Sequence, residues 1–269
     1  LVGSEMCIRD RVNEALGTTE WTLKNGIKVV FKQTPYEADR VSLMAESFGG
    51  DAIFDNDTYY SASLLPSVMS MSGISKFSAS DLNKQLSGKV ASAGTYVQSY
   101  SHGVSGSSSV KDVEAMLQLV YLQFTAPRFN EDDFATLMNR YNTMLANQMS
   151  NPDFLFQQKL VSTLYGGNYR RQQLTPELLE TVKLEQMPEV HKRLYSNAVD
   201  FSFRIIGNID AATLKPLVEK YIGSLPAAKK PTNKFTDDGV RTAEGEIDEQ
   251  ITVKMEQPKV CLLYTSDAA

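Results

Sequence analysis

Residues 21–33 alternate apolar and polar positions on either side of Asn25-Gly26, which predicts a hairpin whose turn takes positive φ at both central residues. VSLMAESF at 41–48 predicts a further strand, stopped by Gly49-Gly50. Asp55 or Asp57 is placed to cap a helix over 58–72 that ends at Gly73. Pro66 removes one of its hydrogen bonds and is expected to kink or split it. A short helix at 80–86 follows, then two strands, at 89–98 and 99–109, with small polar outer faces.

The middle of the chain has helical spacing. Ser109 opens a helix with Val113, Met116, Leu117, Val120, Tyr121 and Phe124 on one stripe. Asn130 caps the next, whose first turn holds Glu131, Asp132 and Asp133, where carboxylates suit the helix dipole. Phe134, Leu137, Met138, Tyr141 and Leu145 form its expected buried stripe. A third helix runs from about Pro152 to Gly166-Gly167, and Thr175-Pro176 opens a fourth at N-cap and N1. Phe201, Phe203 and Ile205 alternate along a strand ending at Gly207, and Asp210 caps a helix through Tyr221. Strands and helices come in separate groups, so the expected fold is α+β: a mostly antiparallel sheet with helices packed on it.

Residues 227–245 turn to Lys, Pro, Thr, Asp and Gly and read as a linker. Alternation resumes at 246–259, as at the start of a further unit. Residues 1–11 and 260–269 fit neither helix nor strand patterning and resemble translated adapter DNA. They are therefore expected to be non-native ends, leaving 12–226 as the main unit. Both cysteines, Cys7 and Cys261, lie in those ends, so the body lacks thiol nucleophiles, disulfides and Cys-ligated zinc.

The 269 residues are 42% hydrophobic and 22% charged, with net charge −5, a globular composition. A pI near 5.2 argues against nucleic acid as a partner, which would demand a basic face. No apolar run approaches the ~20 residues of a membrane helix. Catalytic zinc needs three ligands, commonly two histidines on one helix turn. His102 and His191 stand far apart, and neither has a partner at that spacing; each reads as a surface or hydrogen-bonded histidine. GVSGSSS at 103–109 lacks the G-x-S-x-G of a nucleophile elbow because Ser107 replaces the last glycine. No phosphate-binding glycine loop occurs. The residues by themselves display no active site.

Six strings, in order, carry a resemblance. They are WTLKNGIKVV at 21–30 with the Gly49-Gly50 break, FSASDL at 77–82, GVSGSSS at 103–109, LVYLQFTAPR at 119–128, RIIGNID at 204–210 and YIGSLP at 221–226. Over about residues 20–257 the chain resembles a homology domain of the pitrilysin/insulinase family of zinc metallopeptidases. It is most like the C-terminal half of long bacterial members of the Bacteroidetes type. The resemblance implies a two-layer α+β sandwich with helices on one face, in units that come in fours or as paired subunits around a closed chamber.

In the family's active unit a helix carries H-x-x-E-H, and a third ligand Glu lies further along. The matching stretch here is Leu64-Leu65-Pro66-Ser67-Val68, with Leu64 and Val68 in place of the histidines and Ser67 in place of the catalytic Glu. Ala146 and Asn147 fall near the third ligand. The resemblance therefore implies no catalytic or metal-binding residue and no cofactor in this chain, with zinc expected in a separate catalytic unit. It implies sister units and an unfolded peptide as partners, and a periplasmic or secreted location by family habit. An Arg and Tyr pair that grips substrate in long members would lie beyond Lys259. The Ser- and Gly-rich strand at 99–109 is either chamber-facing or plainly solvated. Two functions stay open: a non-catalytic unit of a zinc peptidase, or a scaffold like the family's core subunits in respiratory complexes. A self-contained hydrolase has nothing in the residues to recommend it. Exposed apolar surface and self-association are expected of the isolated chain.

Overall fold

Asn25-Gly26 makes the predicted hairpin, with a different turn. In the computed structural model, which describes residues 7–245 with 247 and 248, Leu23 and Ile27 close a three-residue loop. Only Gly26 has positive φ, at 88°. Gly26 N–H donates to the Leu23 carbonyl, so the loop is a tight turn followed by a left-handed glycine. Asn25 instead spends its side chain on a distant partner: Nδ2 donates to the carbonyls of Ile222 (3.2 Å) and Gly223 (3.0 Å).

The hairpin strands are β2 (Thr18–Leu23) and β3 (Lys28–Gln33), preceded by β1 (Cys7–Asn13). β1 differs from the expectation for residues 7–11, whose side chains carry no strand pattern. They pair with β2, Asp10 opposite Trp21 and Arg11 opposite Glu20. Pairing at a sheet edge needs backbone groups and not an apolar face, which is why the pattern was silent.

The remaining strands are β4 (Val41–Phe48), β5 (Ala91–Val97), β6 (Ser101–Ser108) and β7 (Ser202–Gly207). Among the described residues they form one sheet in the order β1-β2-β3-β7-β4-β6-β5, with only β3 and β7 parallel. Val41, Leu43, Ala45 and Ser47 are buried on one face of β4, while Ser42, Met44, Glu46 and Phe48 lie on the other, half-buried or exposed. Such alternation marks a sheet covered on one side.

The helices are α1 (Asn56–Ser72), α2 (Ala79–Gln85), α3 (Val113–Thr125), α4 (Glu131–Met149), α5 (Pro152–Leu164), α6 (Pro176–Leu179), α7 (Met187–Tyr195) and α8 (Ala211–Tyr221). Four predicted caps act as expected: Asp55, Asn130, Thr175 and Asp210 each accept a backbone N–H from the first turn, whereas Ser109, expected to cap α3, instead donates its hydroxyl to Asp112 just before that helix. The two-layer α+β sandwich is thus borne out.

Two expectations about helices change. α1 is not split at Pro66; it is one 17-residue helix from the Asp55 cap to Gly73. A proline forfeits a single bond, and the buried Leu65, Val68 and Met69 hold the turn on the core. On α4 only Leu145 of the expected stripe is buried; Phe134, Leu137, Met138 and Tyr141 are half-buried. α4 packs chiefly on α1 and α6 and not on the sheet, which leaves most of its stripe half-buried.

Gly50 fixes the end of β4. Its φ is +57°, and a Cβ there would lie 2.0 Å from the Gln98 carbonyl oxygen, so only glycine fits. Residues 227–245 contain no helix or strand. The strand expected within 246–259 lies outside the described residues, apart from 247 and 248, as do 260–269 with Cys261.

Candidate functional site

The stretch aligned with the metal motif lies in the middle of α1. Leu64 and Val68 are one turn apart, the spacing that would place two imidazoles on one face. Val68 is fully buried in the core and Leu64 is half-buried against it. Ser67 is half-buried, and its hydroxyl accepts a hydrogen bond from Tyr141 of α4 at 3.2 Å. The helix expected to contribute a third ligand thus does pack beside α1. Ala146 and Asn147, however, are exposed on α4. Asn147 lines a shallow surface groove with Arg140, Thr143 and Met144.

These residues do not fit zinc. Two aliphatic side chains, one engaged hydroxyl, an alanine and an amide supply neither imidazole nor carboxylate. Among the described residues no cluster of three or more His, Cys, Asp or Glu is arranged to hold a metal.

Both histidines are hydrogen-bonded and both are buried, which corrects the surface alternative. His102 on β6 accepts the Gly50 N–H at Nδ1 (3.2 Å). The proton must then be on Nε2, which donates to the Leu194 carbonyl at 2.8 Å. Its ring joins the Gly49-Gly50 turn to α7, packed edge-on to Tyr195 and Phe201. Burial pushes the His102 pKa down to about 4, against a smaller upward pull from the Leu194 bond. His191 on α7 meets the Gln123 carbonyl at 2.8 Å, and burial lowers its pKa too.

The start of α1 is held by a group that sequence reasoning missed. Arg170 donates to the carbonyls of Asp51 (3.1 Å) and Phe54, and its guanidinium stacks over the Tyr59 ring at 5.0 Å. In return the Tyr59 and Tyr60 hydroxyls donate to the carbonyls of Arg170 and Tyr169. Asp51 is buried beneath them, and Ser63 donates to its carboxylate at 3.0 Å. Burial raises the Asp51 pKa, partly offset by Ser63, Arg170 and Arg171. No local spacing connects Asp51 with Arg170. Only the run of hydroxyls and rings at 59–63 hinted at a polar contact. The arrangement fixes a helix end and brings no reacting groups together.

The outer face of the sheet carries an ion pair, Arg204 with Glu46, amid exposed Met44, Phe48 and Ile206. The Ser- and Gly-rich β6 lies next to it, pairing Gly103 with Glu46.

Comparison with known proteins agrees with this geometry. A family model described as the Peptidase M16 inactive domain matches residues 181–269. Over 232 residues the chain is 25% identical to the probable zinc protease PqqL of Escherichia coli, a match covering 84% of this chain and 25% of that protein. The crystal structure of the periplasmic protease PqqL from Escherichia coli superposes with a TM-score of 0.74 at 22% identity, over 90% of this chain and 27% of that one. A peptidase M16 inactive domain from Pseudomonas fluorescens gives 0.64 at 18% identity, over 81% of this chain and 53% of that one. The chain spans about a quarter of the length of the curated relatives it matches. Family model, relatives and fold agree with the resemblance carried by the six strings: residues 181–269 match the M16 inactive domain, and the chain is similar in sequence and fold to zinc-protease-like proteins.

Proposed function

We propose that the chain is a non-catalytic unit of a zinc-dependent endopeptidase or oligopeptidase, forming part of the wall of an enclosed peptide-binding chamber beside sister units. One observation carries this reading: on the unbroken helix α1 the positions that the resemblance aligns with the metal motif, Leu64, Ser67 and Val68, are core and small side chains with no metal-binding group. A unit that retains the fold and lacks the ligands contributes shape and surface to a site built elsewhere. An enclosed chamber selects substrates by size and excludes folded proteins and bulk water. The half-apolar outer face with Met44, Phe48 and Ile206 suits either a sister unit or an extended peptide. Zinc belongs to the catalytic unit and not to this chain. The periplasm is the proposed compartment, after the periplasmic protease PqqL. No helix among the described residues is long and apolar enough to cross a membrane.

The test joins sequence and activity. The coding DNA on either side of this chain is read for H-x-x-E-H, and the encoded catalytic unit is produced with and without this chain. Zinc-dependent cleavage of an unstructured peptide that needs both polypeptides supports the proposal. A gene without the motif would leave the second reading, a scaffold with no peptidase activity.

A further inference from the structure

The polar, Pro- and Gly-containing text of residues 227–245 describes a linker, yet its side chains and backbone are fastened to the body at four successive points. Asn197 Oδ1 accepts the Ala228 N–H at 2.8 Å. Asp200 accepts the Thr232 and Asn233 N–H groups and the Thr232 hydroxyl. Asn233 donates to the Ser47 hydroxyl at 3.1 Å and accepts from Arg193. Farther on, the Ala243 N–H donates to the Leu164 carbonyl at 2.7 Å, at the end of α5.

Between these points lies Asp238, whose side chain is only 2% exposed. Burying a carboxylate is costly unless charge and hydrogen bonds replace the lost water. Tyr100 supplies one hydroxyl at 2.9 Å, Val240 its backbone N–H at 3.0 Å, and Arg171 an opposite charge at 3.7 Å. The Phe235 ring packs on the Tyr100 ring at 5.2 Å. A chain segment in water has no reason to place an aspartate there. Three partners converge on one carboxylate, from the β5–β6 turn, from the turn at Tyr169–Arg171 between α5 and α6 and from the segment itself.

We infer that Asp238 is a latch that holds the second half of residues 227–245, making the segment a fixed strap across the β5–β6 turn and the end of α5. The strap thereby fixes the course of the main chain up to Gly245. The Asp200 contacts anchor its first half independently, so loss of the latch frees the second half alone. Release at a single carboxylate would free that half without disturbing the core.

Amide hydrogen exchange on the full 269-residue chain tests this. Thr232, Asn233, Val240 and Ala243 are expected to exchange about tenfold or more slower than in a free peptide of the same sequence. Exchange at the free-peptide rate would overturn the latch. In Asp238→Ala, Val240 and Ala243 lose their protection, Thr232 and Asn233 keep it, and trypsin cuts after Lys234 and Arg241 about tenfold faster. Unchanged protection and cutting would overturn it equally. Should Asp238→Ala unfold the whole chain, Tyr100→Phe decides. It removes one hydroxyl and is expected to accelerate exchange at Val240 while leaving β4 and β7 amides protected; no acceleration counts against the latch.

Discussion

Tyr141 on α4 donates its hydroxyl to the Ser67 hydroxyl on α1 at 3.2 Å. Ser67, which the resemblance aligns with the motif's catalytic carboxylate, is a small side chain already engaged by the neighbouring helix. α4 packs on α1, and the contact between them is one of side-chain packing and a hydroxyl pair.

Placing histidines back at the motif positions should cost unequal amounts. Val68→His buries a polar ring in a site with no space for water, and a loss of about 2–3 kcal/mol is expected. Leu64→His, at a half-buried position, should lose only about 1 kcal/mol. Urea unfolding of the two variants checks the order, and equal losses would show that Val68 is not the core residue described here.

His102 predicts an acid-sensitive fold. Its pKa lies at about 4 in the folded chain, below the ordinary histidine value, so the unfolded chain takes up the proton first. The stabilisation it brings is complete above about pH 6.5 and is lost as pH falls toward 4. It amounts to about 3 kcal/mol. His191, also lowered, adds in the same direction, while the raised Asp51 opposes it as carboxylates protonate. In NMR titration the His102 ring resonances should hold still from pH 8 to about 5. A midpoint near 6.5 would refute the buried neutral ring.

Two glycines with positive φ should respond differently to alanine. Gly50→Ala drives a methyl into the Gln98 carbonyl and is expected to cost about 3 kcal/mol or more. Gly26→Ala meets nothing closer than Val199 at 3.8 Å, so strain alone costs about 1 kcal/mol. Thermal unfolding of both variants distinguishes them.

Asn25 offers a test of long-range tethering. Its Nδ2 faces carbonyl oxygens of Ile222 and Gly223, so Asn25→Asp sets an acceptor against acceptors. That change should cost more than Asn25→Ala, about 2 kcal/mol against about 1. A chemical denaturation series reads the difference; the reverse order would mean that the turn, and not the tether, sets the effect.

Much of the fold was legible because helix caps and apolar periods are local. Asp55, Asn130, Thr175 and Asp210 each act within three residues, and Phe203 and Ile205 alternate within one strand. Edge strand β1 escaped notice because edge pairing asks little of side chains. α4 was read as more deeply buried than it is, because periodicity reports a shared face and not what covers that face.

The amino-acid sequence by itself determined most helices and strands, the α+β class and the lack of histidine or carboxylate at the positions that the resemblance aligns with the metal motif, since each depends on residue type and short spacing. Tertiary structure alone decided that β7 lies between β3 and β4, that Arg170 holds the carbonyls of Asp51 and Phe54, and that Asp238 fastens a stretch composed like a linker. Those partners lie more than a hundred residues apart. What joins them is the burial of polar groups that must find a donor or acceptor wherever the packed chain brings one.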